Sequence, residues 1–352
     1  MRVINTIDQS NLHRSAAAAS EAEARGFSGI TTLENRHDPF LPLAVASTCT
    51  QSIELSTGVA IAFLRSPMSC ANISWDLQNA SNGRFVLGLG PQIKAHNEKR
   101  FSVPWSPPIP RIREYVDSLR AIWKCWATGE RLRFEGEHYR FTLMPPNFMP
   151  EKLDVPPPPV TIAAVGPAML RLAGEVADGV RLHPFCTRPY LEQVVLPNLE
   201  KGFARRGRKR ETFEISGGGF IATGPDDESV NKIAEWVRYR VGFYGSTPAY
   251  WPVLEMAGFG DLGQKLNAMT KEGKWDELAA QVPDDLLHAC CAVGRHDEIA
   301  GVVEKQFAGL SDTLGASASY EEPSDLPADV LQDIKKIPQT FVGFSAPDYW
   351  VA

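Results

Sequence analysis

The groups able to move a proton or hold an anion concentrate in a few places along the chain. Glu34-Asn35-Arg36-His37-Asp38 sets two carboxylates, an imidazole and a guanidinium side by side. Imidazole titrates near neutral pH, so His37 is the candidate proton donor or acceptor, with Glu34 or Asp38 able to orient it. Gln92, Lys94 and His96 form a second polar cluster, in which Lys94 suits an anionic substrate or cofactor tail. Four of the seven histidines, His37, His96, His183 and His288, sit at or near the ends of apolar runs. One such histidine alone reads as structural; four together point to ligand contact. Gly166-Pro167 precedes a helix-forming run. Free amides at a helix N-terminus cradle phosphate, and proline at the first position gives up no useful donor. Gly58, Gly88, Gly90 and Gly217 to Gly219 crowd other strand ends, where glycine serves a bulge, a turn or the close approach of a ligand.

Several chemistries lack their motifs. Gly88-Leu89-Gly90 does not continue to a dinucleotide fingerprint, and no Walker loop, nucleophile elbow or His-Glu-x-x-His helix occurs. The six cysteines have no Cys-x-x-Cys spacing, which argues against structural zinc and reads as reduced thiols of a cytoplasmic protein. A formal net charge of -6 argues against nucleic acid as partner. No apolar run reaches the ~18 residues that span a bilayer, and no signal peptide is expected at the N-terminus.

These residues need a frame. In 352 residues, apolar runs alternate with helix-forming segments. Strand-like runs lie at 3–7, 29–33, 53–63, 84–90, 160–165, 179–183, 213–223 and 286–293. The helical stripe Ile112, Tyr115, Val116, Leu119, Ile122, Trp123 and Trp126 has helical spacing. Eight strand-then-helix units imply parallel pairing and a closed (β/α)8 TIM barrel, an α/β fold with its active site at the strands' C-terminal ends. The strands read as apolar throughout, as expected when both faces are buried. Insertions are expected at about 129–159, after the fourth strand, and at about 242–281, after the seventh. The first is proline-broken, the second irregular. Their aromatic residues suit one of them to lid the site. The barrel is expected to span 1–310, with residues 311–352 as a tail packed on it.

The segments NGRFVLGLG (82–90), AGEVADG (173–179), IELSTGVAIAFLRSP (53–67) and PRIREYVDSLRAIW (110–123), taken in order with AVGRHDEIA (292–300), resemble the bacterial luciferase-like monooxygenase superfamily. The resemblance is to its branch using coenzyme F-420, a deazaflavin. It implies a cofactor ring lying against a strand-three bulge at Gly58-Val59, often a cis peptide, and flanked by Gly90 and Gln92. It implies a cofactor phosphate held at Val165, Gly166 and Pro167. The loop from Glu34 to Phe40 then faces the substrate, which makes Asn35, Asp38 and Phe40 expected substrate contacts, and Lys94 and His183 join them by their place at strand ends. Family members acting on sugar phosphates carry Asp-His followed by Pro-Trp, and a glutamate where Gln92 stands, so that activity is not carried over. The expected function is hydride transfer between deazaflavin and a small organic substrate. The alternatives are an FMN-dependent two-component monooxygenase served by a separate flavin reductase, and a catalytically silent cofactor-binding barrel. A homodimer is expected.

Overall fold

The computed structural model describes residues 1–316 and 326–350. Eight parallel strands close a barrel: β1 (Arg2–Thr6), β2 (Gly29–Thr32), β3 (Glu54–Thr57), β4 (Phe85–Gly90), β5 (Val160–Ala164), β6 (Gly179–Leu182), β7 (Glu214–Ser216) and β8 (Thr313–Gly315). The ring shuts where Arg2 pairs with Thr313 and Ser216 pairs with Thr313. Successive strand residues face opposite sides. Val3, Ile30, Leu55, Leu87, Ile162, Val180, Ile215 and Leu314 have no exposed surface and join the apolar layer under the helices.

The other face differs from the expectation of apolar strands. The barrel interior holds charged and hydroxyl side chains. Arg2 bonds Glu54 and Glu214, each at 2.6 Å. Thr313 donates to the same Glu214 oxygen at 2.6 Å. Arg181 donates to Thr161 at 3.2 Å and to Ser216 at 3.0 Å, and its third nitrogen lies 3.9 Å from Glu214. Both strand faces are buried, but the inner one is satisfied by ion pairing, which lets polar residues occupy it.

Three expected strands are broken or moved. The third stops at Thr57, resumes as Ala60–Ile61 after a cis Gly58-Val59 peptide, and ends in the short turn Ala62–Leu64. The seventh divides at Gly217 and Gly218, whose φ of 93° and 98° suit glycine alone, and Phe220–Gly224 leaves the barrel. The run expected as the eighth strand is helix over Asp284–Cys290, and only Cys291–Arg295 is extended. That strand pairs with Phe220–Gly224 outside the ring. The segment offers Leu286, Leu287 and Cys290 on one helical face behind acidic first-turn residues, which favours helix. The eighth barrel strand is Thr313–Gly315, three residues too short to stand out in the sequence and placed in the expected tail. Asp312, 1% exposed, fixes it by accepting from Ile215 N at 2.8 Å, from Phe341 N at 2.9 Å and from Arg210 at 2.8 Å.

The excursion from β7 to β8 therefore starts and finishes at one point. Ser311 Oγ donates to Gly217 O at 2.9 Å, and Gly217 N donates to Thr313 O at 2.8 Å. Between them lies the long helix Asp227–Gly245, capped by Asp226. The stretch expected to be irregular, 242–281, is mostly helical: Trp251–Met256 and Gly260–Lys271 are helices separated by Ala257-Gly258-Phe259, with Gly258 at φ 85°. Residues 129–159 carry the hairpin Phe134–Glu135 with Arg140–Phe141 and then run down the helix Pro67–Ala80, where Trp75 and Gln78 donate to Glu151 and Pro156 carbonyls. Helix Ala328–Lys335 packs beside β1. Part of the expected tail, 317–325 and 351–352, lies outside the described residues.

Glu214 has no exposed surface and compensates two arginines. Glu214→Ala is expected to cost roughly 3–5 kcal/mol in urea unfolding, because it leaves a buried guanidinium unpaired, with Glu214→Gln intermediate.

Candidate active site

At the C-terminal ends of the strands a cavity of about 260 Å³ opens. Ile4 and Thr6 of β1, Thr31 of β2, Arg181 of β6, Ser216 of β7 and Gly315 of β8 form its floor and sides. Gly58 and His183, each just past the end of a strand, line it as well. The excursion supplies the remaining wall through Phe220, Ile221 and Thr223, and through Ile233, Trp236, Val237, Arg240 and Tyr244 of the long helix. A second, small cavity shares Leu182 and His183 with the first and reaches Val165.

The expected bulge stands at this mouth. Gly58 N donates to Thr32 O at 2.7 Å, and a Cβ at Gly58 would lie 2.4 Å from Thr31 Oγ1. A Cβ at Gly90 would lie 2.8 Å from a Val59 methyl, so Gly58, Val59 and Gly90 close on one another. Gln92 instead turns on itself at φ 57°, its Oε1 accepting from Ile93 N at 2.9 Å. Gly166 is the extended residue before helix Pro167–Val176; no side chain caps that helix, and open space lies where a Gly166 Cβ would be. The Val165 carbonyl accepts from Tyr190 OH at 3.1 Å.

His183 is packed edge-on against Tyr244, with centroids 4.1 Å apart, and tilted on Tyr250 at 4.9 Å. Both tyrosines belong to 242–281, one of the two stretches of which one is expected to lid the site. Burial, with Arg240 adding to it, pushes the imidazole down to about 3. Its Nδ1 accepts from Phe185 N at 2.9 Å, so the neutral ring carries its proton on Nε2.

The loop after β2 is organised as a clamp. Arg65 grips Glu34 at 2.7 and 2.8 Å and Asp38 at 3.0 Å, and Glu34 also accepts from Ile61 N at 2.6 Å. Burial works against the Arg65 charge, but the two carboxylates raise its pKa. Asp38 accepts from Phe40 N at 2.8 Å at the start of helix Phe40–Cys49, and the Phe40 ring lies in the core beneath Arg65. Asn35 and His37 are exposed, and the Asn35 carbonyl accepts from Arg100. Lys94 is exposed and faces Glu98 at 3.9 Å. None of these loop side chains lines the cavity. His288 is exposed on the helix Asp284–Cys290, away from the strand end where it was expected.

Of the polar side chains that line the cavity, His183 is among those expected from the sequence, while four are not: Thr31, Arg181, Thr223 and Arg240 each carry a buried atom without a hydrogen-bond partner among the described residues, namely Thr31 Oγ1, Arg181 Nη2, Thr223 Oγ1 and Arg240 Nε. Such atoms are rare in folded proteins and mark where a ligand's polar atoms belong. Two signals were available. Arg181 is a lone charge inside an apolar strand, a position seldom occupied unless paired. Ile233, Trp236, Val237, Arg240 and Tyr244 form one helical stripe by spacing.

An eight-stranded barrel with a polar-floored cavity at its C-terminal mouth and an open helix N-terminus beside it is an enzyme architecture. Comparison identifies its kind: the model of the luciferase-like monooxygenase family matches residues 3–313, and the chain belongs to that family. It is an oxidoreductase of the luciferase-like type. An uncharacterized protein of Mycobacterium tuberculosis is 47% identical over 303 residues, covering 86% of this chain and 89% of its own. The 5,10-methylenetetrahydromethanopterin reductase of Archaeoglobus fulgidus is 28% identical over 306 residues, covering 84% and 87%. Among solved structures, the coenzyme F-420-dependent tetrahydromethanopterin reductase of Methanopyrus kandleri superposes with a TM-score of 0.75 at 19% identity, covering 96% of this chain and 97% of its own. The oxygenating constituent of 3,6-diketocamphane monooxygenase from Pseudomonas putida, in complex with FMN, does so with a TM-score of 0.65 at 16% identity, covering 97% and 99%. No helix among the described residues is long and apolar enough to cross a membrane.

His183 is expected to stay neutral, with Nδ1 unprotonated, from pH 8 to pH 5 in histidine nitrogen NMR spectra. Its folded-state pKa is depressed, so the unfolded chain binds the extra proton as pH falls below about 6.5 and stability is lost from there down towards pH 3. His183→Gln is therefore expected to lose less stability than the wild type between pH 7 and pH 5.

Proposed function

We propose that this protein is a deazaflavin (coenzyme F-420)-dependent oxidoreductase that transfers a hydride to or from a small organic substrate in the barrel-mouth cavity. The observation that carries the reading is the adjacency of three features. Gly58 of the bulge lines the main cavity, a smaller cavity beside it shares Leu182 and His183, and that one is lined by Val165 next to the uncapped helix N-terminus. The residues fit such a cofactor. Gly58 lines the cavity with bare backbone packed close to Thr31, Thr31 offers a free hydroxyl, and the Gly166 turn offers amides to a phosphate. The methylenetetrahydromethanopterin reductase relative and the coenzyme F-420-dependent structure of like fold support the choice of cofactor.

When bound, deazaflavin supplies a hydride donor or acceptor at one ring carbon. The chain's task is to hold a substrate carbon within ~3–3.5 Å of it, exclude water and manage one proton. Ile4, Leu33, Phe220 and Ile221 make the walls apolar. His183, neutral and carrying Nε2–H, can donate a hydrogen bond to a substrate oxygen. Exposed His37 can exchange a proton with solvent at the same end of the barrel. Glu34, held by Arg65 and Ile61 N, ties the His37 loop to the segment after the bulge.

Fluorescence titration of the purified chain is expected to give at least ~10-fold tighter binding of deazaflavin than of FMN, a difference of about 1.4 kcal/mol. Preference for FMN, with oxygen-dependent turnover alongside a flavin reductase, moves the protein to the monooxygenase side of its family. Binding of neither removes the reading. Gly58→Ala is expected to weaken deazaflavin binding about tenfold, since its methyl group needs the space in front of Thr31. In the loaded enzyme, loss of turnover in His37→Ala with cofactor binding intact assigns the proton to the rim, and loss in His183→Gln assigns it to the cavity wall.

A further inference from the structure

We infer that the substrate is an organic anion, a carboxylate on a small apolar body, held between Arg181 and Arg240; this rests on the cavity being the substrate site proposed above. No aspartate or glutamate lines the cavity, while two arginines do. The chain as a whole is acidic, at -6, so this concentration of positive charge is local.

Arg181 is 8% exposed and only partly satisfied. Thr161 and Ser216 take two of its nitrogens. Nη2 has no hydrogen-bond partner, and the nearest carboxylate oxygen, on Glu214, is 3.9 Å away. That glutamate is shared with Arg2. Arg240 reaches the cavity from the long helix, its guanidinium 4.7 Å from the Trp236 ring centroid. Its Nε has no hydrogen-bond partner, and no carboxylate pairs with it among the described residues. Hydroxyl or amide groups of a neutral ligand could accept these hydrogen bonds but would leave the Arg240 charge uncompensated. A carboxylate does both, and its two oxygens match guanidinium donors. Thr223 offers a further hydroxyl donor, and the walls of Leu33, Phe220, Ile221 and Ile233 demand an apolar remainder.

The test uses benzoate and its uncharged isostere benzamide as probes in isothermal titration of the full chain, with and without deazaflavin. Benzoate is expected to bind at least about tenfold more tightly than benzamide. Arg240→Met, on a half-buried helical position, is expected to abolish that preference while leaving deazaflavin affinity unchanged, and Arg240→Lys to restore part of it. Arg181 also braces the barrel interior, so Arg181→Lys is read only alongside an unchanged melting temperature and is expected to weaken benzoate alone. Equal binding of the two probes overturns the inference. So does an Arg240→Met variant that loses deazaflavin affinity and keeps the benzoate preference, since that arginine then serves the cofactor. If benzoate binds in an Arg240-dependent way and deazaflavin does not bind, the ligand class stands and the cofactor assignment falls.

Discussion

Strands β1, β3, β6 and β7 all depend on the charges gathered around one buried carboxylate, Glu214. It accepts from Arg2, which also holds Glu54, and from Thr313 of β8, and it lies under Arg181. Most barrels of this kind fill their axis with branched apolar side chains. Here the axis is an ion network. Buried charges tolerate no partial solution, so each strand's register is fixed by the need to bring its charged or hydroxyl group to the shared centre. The same requirement sets the floor of the cavity. Arg181 is braced from below by Thr161 and Ser216, and its third nitrogen faces Glu214 at 3.9 Å without a hydrogen bond.

The site above that floor is assembled from parts with separate physical origins. The bulge at Gly58 and Val59 interrupts β3 and sets bare backbone against the cavity. The Gly166 turn leaves amides free at the end of β5. The long helix after β7 brings Trp236, Arg240 and Tyr244 over the top, and Tyr244 and Tyr250 desolvate His183 until it cannot hold a proton near neutral pH. The loop after β2, with Glu34 and Asp38 on Arg65, is held as a clamp beside the site.

Much of this was legible in the chain because it depends on local chemistry. Alternating strands and helices announced the barrel, glycine before proline announced the helix-end turn, and the family resemblance placed the bulge. What escaped depends on contacts between residues far apart. Arg2, Glu54, Arg181 and Glu214 are separated by scores of residues, and nothing local says that they meet. The three residues of β8 carry almost no pattern; Asp312 and its long-range partners place them. The run at 286–293 is apolar enough for either strand or helix, and its acidic start decided for helix. Arg240 lies deep in a helix, away from the strand ends that mark the site of a barrel.

The excursion between β7 and β8 leaves at Gly217 and returns at Ser311, and one hydrogen bond joins the two ends. It carries its own two-stranded sheet, its own helices and most of the cavity's outer wall. A segment whose ends already touch places little entropic demand on the ring that bears it. It can be treated as a cassette: substrate preference could be exchanged between related barrels by swapping everything between those two residues, while the charged axis that sets strand register stays untouched.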